Sequence, residues 1–322
     1  MFQVSGSSHP ATCNLLFLHM TEEKKYHVTF AGFAITLIGA ILFSTKAIIV
    51  KVAFANTSMD ALTLLMLRMA FSLPFYVGAV FLVKQQQPAK LTGRQWLMVL
   101  GLGVFGYYLS SLFDFIGLQY VTAGLERLIL FLYPTFAVFF NAVVFKQPVV
   151  RTQKIALLLT YTGIAIAYIG ELRFDIGNPN FIWGSFLIFL CSITYSVYIV
   201  GSGRLIPAVG VTRFTAYAML ASTAGVFVHF AFAGTLQKLQ VAGNHWLYGI
   251  LLAVIATVLP TFMLSHGMKR IGSNNVAIIS AIGPVSTIIQ AHFVLGEKIF
   301  PAQVAGTLLV IIGVILIGWR RK

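Results

Sequence analysis

The chain has 322 residues, of which 58% are hydrophobic and only 9% charged, against about 25% charged in a soluble domain. So few charges cannot cover a water-facing surface, and most of the exterior must face lipid. The formal net charge of +14 does not indicate nucleic acid, because the basic residues sit in short loops between apolar runs and form no stripe with interleaved aromatics.

Residues 1–28 form a leader unlike the rest. Its only apolar run, Leu15 to Leu18, is too short for a signal-peptide core. Met20, followed by Thr-Glu-Glu-Lys-Lys, reads as an ordinary cytoplasmic start, so translation is expected to begin there; the alternative reading is a disordered tail that starts at Met1.

Ten apolar runs follow, each near the roughly 20 residues that a helix needs to cross a hydrocarbon core. They are Phe30–Val50, Ala61–Val83, Gln95–Leu118, Ala123–Phe145, Lys154–Gly170, Phe181–Gly201, Val211–Gly234, His245–Met268, Asn275–Leu295 and Pro301–Trp319. Turn chemistry marks joints at Gln85-Gln86-Gln87-Pro88, Gly177-Asn178-Pro179, Gly201-Ser202-Gly203, Ala242-Gly243-Asn244 and Gly272-Ser273-Asn274. The expected fold class is all-α integral membrane, with ten transmembrane helices.

With the N-terminus in the cytoplasm, fifteen Lys and Arg fall on the inner side and five (Lys51, Arg127, Arg173, Lys238 and Lys298) on the outer side. This positive-inside bias supports both termini in the cytoplasm, and the expected location is the inner (plasma) membrane.

A shift of 150 residues superposes the chain on itself. Trp96-Leu97 falls on Trp246-Leu247, Gly117 on Gly267, Pro134 on Pro284, Gln153 on Gln303 and Gly163 on Gly313. Shared Trp, Pro, Gln and Gly in apolar helices are more informative than shared Leu, and they indicate an internal repeat. The halves are residues 30–170 and 181–319. Each holds five spans, an odd number, so the second enters the membrane from the opposite side. Such inverted repeats suit two halves that exchange roles around one midplane site.

Halves of five spans closing on Gly296-Glu297-x5-Gln303-x2-Gly306-x6-Gly313 resemble the EamA-type transporters of the drug/metabolite transporter superfamily. The first half departs from the pattern, with Lys146-Gln147 in place of Gly-Glu and Ala156 in place of the first Gly of the closing helix. The resemblance implies a ten-helix bundle around a central cavity lined mainly by helices 1, 3, 4 and 6 and their counterparts 8 and 9. It also implies secondary transport without ATP hydrolysis, often export of metabolites or amino acids. Gly306 and Gly313 share one helix stripe and are read as packing residues.

Five charges fall within spans: Lys46, Arg68, Asp114, Glu126 and Arg127. A charge near the bilayer centre costs about 2.5–3.5 kcal/mol on insertion scales and usually faces a pathway. At 1.5 Å per residue, Lys46 lies about 6–8 Å and Arg68 about 10–12 Å from the outer ends of their spans. In the second half Leu264, Val276 and Ala277 replace Asp114, Glu126 and Arg127, so the charges are not part of the shared scaffold. One reading is plain ion pairing, Lys46 with Asp114 or Glu126 with Arg68, with Lys46 and Arg127 snorkelling to the interface. The other is a cluster that holds a carboxylate-bearing substrate and couples it to protons. Tyr107, Tyr133 and Tyr195 are the aromatic candidates for the cavity wall, and Pro134 and Pro284 are candidate bends in helices 4 and 9.

Two cysteines and scattered histidines give no disulfide framework, metal site or cofactor motif, and no phosphate-binding loop is present. No nucleophile with a base is found at a shared depth, which speaks against a membrane-embedded enzyme. A receptor-like or structural membrane protein would not need the inverted repeat. A secondary transporter of small metabolites is the reading that accounts for both the inverted repeat and the charges within the spans.

Overall fold

The computed structural model describes residues 29–86, 91–146, 149, 151–172, 179–234, 245–280 and 282–319. The leader with Met20, Arg173, Lys238 and the expected turns at Gln87-Pro88, Gly177-Asn178 and Ala242-Gly243-Asn244 lie outside these residues.

Among the described residues, seven helices are long and apolar enough to cross a membrane: α1 Phe30–Asn56, α2 Ala61–Phe81, α3 Gly93–Gly117, α4 Ala123–Val144, α6 Phe181–Val209, α7 Val211–Ala233 and α8 His245–Ile271. Three shorter apolar helices complete the set of ten: α5 Lys154–Gly170, α9 Ile282–Leu295 and α10 Pro301–Gly313. The protein is an all-helical, multi-pass membrane protein.

Backbone detail repeats at the same 150-residue spacing. A π-helical stretch interrupts α3 at Leu102–Tyr108 and another interrupts α8 at Val254–Val258. The shift carries Val104–Tyr108 onto the second stretch. Lys146 and Gly296, also 150 apart, end α4 and α9 with φ of 53° and 68°. A lysine in the left-handed region is strained by about 1–2 kcal/mol, whereas glycine is not. Two matched irregularities of this kind are stronger marks of duplication than matched helices, because regular helices resemble one another anyway.

Two boundaries depart from expectation. The joint foreseen at Gly201-Ser202-Gly203 does not form, and α6 continues to Val209. The chain turns instead at Gly210, where φ is 89°. Gly201 serves packing: a Cβ there would lie 2.5 Å from the Leu102 side chain. Helix α1 likewise runs six residues past Val50, to Asn56. Lys46 therefore has about 15 Å of helix beyond it, deeper than the span count implied.

Around Gly272-Ser273-Asn274 the backbone keeps helical geometry from Leu259 to Ser280. Yet a Cβ on Gly267 would sit 3.3 Å from Val276 Cγ2. Nine residues of straight helix would separate those backbones by about 13.5 Å. The chain therefore folds back between them, where the sequence places the turn.

Pro134 coincides with a break. Helix α4 is interrupted at Phe131-Leu132 and restarts at Tyr133, with Pro134 in its first turn. Pro284 lies within α9, two residues after Ile282; the residue before Ile282 lies outside the described residues, and with it the expected bend.

The larger apolar core gathers buried residues of α1, α2, α3, α6, α7 and α8. A second core joins α4, α5, α6 and α10. The two helices that close the halves, α5 and α10, meet backbone to backbone. A Cβ on Gly163 or on Gly306 would strike the other's carbonyl oxygen, and one on Gly313 would strike Thr160. Small residues allow this approach, and in lipid the close packing supplies the attraction.

Candidate functional site

The five charges that lie far apart in sequence converge in the first half. All are buried: Lys46, Arg68, Asp114, Glu126 and Arg127 expose no more than 5% of their surface. Snorkelling of Lys46 or Arg127 to the interface is thereby excluded. Lys46 Nζ lies 2.6 Å from Asp114 Oδ2 and 3.5 Å from Glu126 Oε1, so one ammonium is shared by two carboxylates. Glu126 thus pairs with Lys46 and not with Arg68. No donor among the described residues reaches Asp114 Oδ1 or Glu126 Oε2.

Arg68 has no acid in contact among the described residues. Its donors go to three hydroxyls: Nε to Thr257 at 2.7 Å, Nη2 to Tyr107 at 2.9 Å and Nη1 to Ser111 at 3.4 Å. Its carbon Cζ sits 5.6 Å from the Tyr107 ring centre and 5.3 Å from that of Phe115. Arg127 donates from Nη2 to Ser44 Oγ at 2.8 Å, and its Nε has no partner among the described residues. The Phe43 ring serves two cations, with Lys46 Nζ 5.5 Å and Arg127 Cζ 5.2 Å from its centre. Aromatic faces attract desolvated cations, by about 2 kcal/mol or more in dry surroundings.

Three of the five charges, Lys46, Arg68 and Asp114, border a small cavity whose wall also includes Phe43, Tyr107, Tyr195, Ser110, Ser111, Leu130 and Cys191; Glu126 and Arg127 are not on that wall. The space open to the centre of a water molecule is about 20 Å³, room for one or two waters. The lining comes from α1, α2, α3, α4 and α6. Helix α2 is an addition to the expected set, and α8 and α9 touch the cluster without lining the cavity. From α8, Thr257 binds Arg68; from α9, the Gly283 carbonyl accepts from Ser44 Oγ at 3.3 Å.

Local structure explains the placement. Three side chains on α3, Tyr107, Ser111 and Asp114, fall at intervals of four and three and so face one way. The π-helical stretch ending at Tyr108 turns Tyr107 inward, while Tyr108 faces away and meets His229 Nδ1 at 2.8 Å. On α8 the Thr257 hydroxyl donates to the Leu252 carbonyl, five residues back, within the matching π stretch. Pro134 has no N–H to offer the carbonyl of Leu130, a lining residue, which is where α4 breaks.

Of the candidate tyrosines, Tyr107 and Tyr195 line the cavity. Tyr133 stands behind them, packed edge-on against Tyr195 at 5.2 Å. Sequence reasoning passed over Ser44, Ser111, Thr257, Phe43 and Cys191. Only Thr257 carried a signal, as the residue that the 150-residue shift sets against Tyr107.

The EamA-like transporter family matches residues 30–169 and 182–319, and the chain belongs to that family. It is 32% identical over 291 residues to YcbK, an uncharacterized transporter of Bacillus subtilis, covering 88% of this chain and 92% of that one. An uncharacterized transporter of Archaeoglobus fulgidus is 25% identical over 90% of this chain and 96% of its own length. A solved crystal structure shares the fold, with a TM-score of 0.62 at 18% identity, over 88% of this chain and 97% of that one. The chain is therefore a multi-pass membrane transporter and not an enzyme.

Proposed function

We propose that the protein is a secondary transporter that exports small carboxylate-bearing solutes, amino acids among them, by alternating access around the cavity. The orientation that goes with this has both termini in the cytoplasm and the bundle in the inner (plasma) membrane, as the distribution of Lys and Arg favours. The observation that carries the reading is Arg68: a guanidinium 1% exposed, on the cavity wall, held by hydroxyls and met by no acid among the described residues. A buried cation without a counter-ion favours an anionic guest, and a guanidinium fork matches a carboxylate. With Lys46 and Arg127 against Asp114 and Glu126, the cluster carries one formal positive charge in excess. Asp114 and Glu126 share one ammonium, and each keeps an oxygen that no described donor reaches. That leaves a place for a coupling proton.

The test is flux in proteoliposomes across a panel of carboxylate solutes, with and without a pH gradient. The reading expects a gradient to drive flux in the native protein but not in Asp114→Asn or Glu126→Gln. Normal, gradient-driven flux in both variants, with only stability lost, would remove the acids from the mechanism.

A further inference from the structure

A carboxylate of the second half holds the start of the helix that carries Glu126 and Arg127. Glu297 follows α9, where Gly296 turns the chain with φ of 68°. Its Oε1 accepts from the Ala123 N–H at 3.0 Å and its Oε2 from the Gly124 N–H at 3.4 Å. The next N–H, that of Leu125, is taken by Thr122 Oγ1 at 3.1 Å. Three of the donors that a helix start leaves open are thus filled, two of them by a charge from the opposite half. The contact is tight: a Cβ on Gly124 would strike the Gln303 amide of α10 and lie 3.5 Å from Ile288 of α9. The Glu297 backbone is fixed as well, its N–H reaching the Ala291 carbonyl at 3.2 Å and its carbonyl lying 2.9 Å from His292 Nδ1. At the same end, Lys51 Nζ of α1 donates to the carbonyls of Leu118 and Val121, at 3.2 and 2.8 Å.

The two halves are unequal here. The 150-residue shift sets Glu297 against Gln147, and Ala123-Gly124 against Ser273-Asn274. At the other end of the bundle the sequence therefore offers an uncharged amide where this end has a carboxylate. A charge-assisted hydrogen bond is roughly twice as strong as a neutral one.

We infer that Glu297 is a positioning residue: it latches α4 to the α9–α10 corner and holds this end of the bundle, the outer end in the proposed orientation, closed over the cavity. Opening toward that side requires the two N–H bonds to break, and at the matching position of the inner side the sequence has Gln147, which carries no charge. The resting transporter is thereby biased toward inner access. This rests on the alternating-access reading, but its test needs no substrate, so the two can fail separately.

Cys191 on the cavity wall is the reporter. In the full chain carrying Cys13→Ser, reconstituted in vesicles, Cys191 is labelled with a membrane-impermeant methanethiosulfonate added from either face. Glu297→Gln is expected to speed labelling from the outer face about tenfold, the factor associated with weakening one charge-assisted bond, and to slow it from the inner face. Glu297→Asp should fall between. Ala123→Pro removes one donor at a helix position that tolerates proline and should shift the rates the same way. Rates unchanged, or raised equally from both faces, would overturn the latch. So would failure of both Glu297→Gln and Ala123→Pro to fold, which would make the contact a folding element. A labelling shift in a protein that moves no solute would keep the latch and defeat the transport reading.

Discussion

Tyr107 and Thr257 stand 150 residues apart, in matching π-helical stretches of the two halves, and both bind Arg68, at 2.9 and 2.7 Å. The repeat has kept the position and the hydrogen-bonding role while changing the residue. Arg68 thereby ties the two halves together at the cavity wall. Arg68→Lys should lower flux at least about tenfold, since one ammonium cannot satisfy three fixed hydroxyls as a guanidinium fork does. Thr257→Val, which leaves Arg68 Nε without its acceptor, should cost about 1–3 kcal/mol of stability. Flux and denaturant unfolding of the two variants measure these effects.

Lys46 should be worth more to stability than its partners. Lys46→Met leaves Asp114 and Glu126 buried without a counter-ion, and breaking a buried pair from one side costs about 3–5 kcal/mol. Adding Asp114→Asn and Glu126→Gln to that variant removes both charges and should restore most of the loss. Flux should stay absent in the triple variant. Recovery of stability and flux together would make the cluster a structural pairing only.

The left-handed residues give a prediction that touches no chemistry. Lys146→Gly should stabilise the protein by about 0.5–1 kcal/mol, because glycine takes that backbone without strain. Gly296→Ala should destabilise it by about 1 kcal/mol for the same reason. Opposite signs in thermal unfolding would support the shared backbone role of the two positions.

Helices α5 and α10 should fail by overpacking. Gly306→Leu drives a side chain into the Gly163 carbonyl, where added bulk costs about 1–3 kcal/mol or more. Folded yield after detergent extraction would show it, and an unchanged yield would mean that the two helices do not meet so closely in the membrane.

Much of the fold was legible because lipid imposes it: apolar runs of a set length, basic residues concentrated in alternate loops, and glycine and proline at matching places in the two halves. What misled was glycine with two uses. Gly201 and Gly210 look alike in sequence, but Gly201 admits the Leu102 side chain while Gly210 takes the positive φ. The charged residues were visible because charge is costly in lipid. The Lys46–Asp114 pair was among the expected pairings, but Glu126 was set against Arg68 and pairs with Lys46 instead, because the choice of partner depends on helix rotation, which hydropathy does not report. Ser44, Ser111 and Thr257 were hidden for a further reason: a hydroxyl in a membrane helix can satisfy itself on a preceding carbonyl, as Thr36 does on Gly32 at 2.8 Å.

The most direct measurement compares each carboxylate solute with its neutral amide in proteoliposomes of the purified protein. Carriage of a carboxylate at least about tenfold faster than its amide, with that preference lost in Arg68→Lys, is the expected result. Equal flux of acid and amide, or a preference that survives in Arg68→Lys, would contradict the assignment of Arg68 and its cavity as the place where substrate is held.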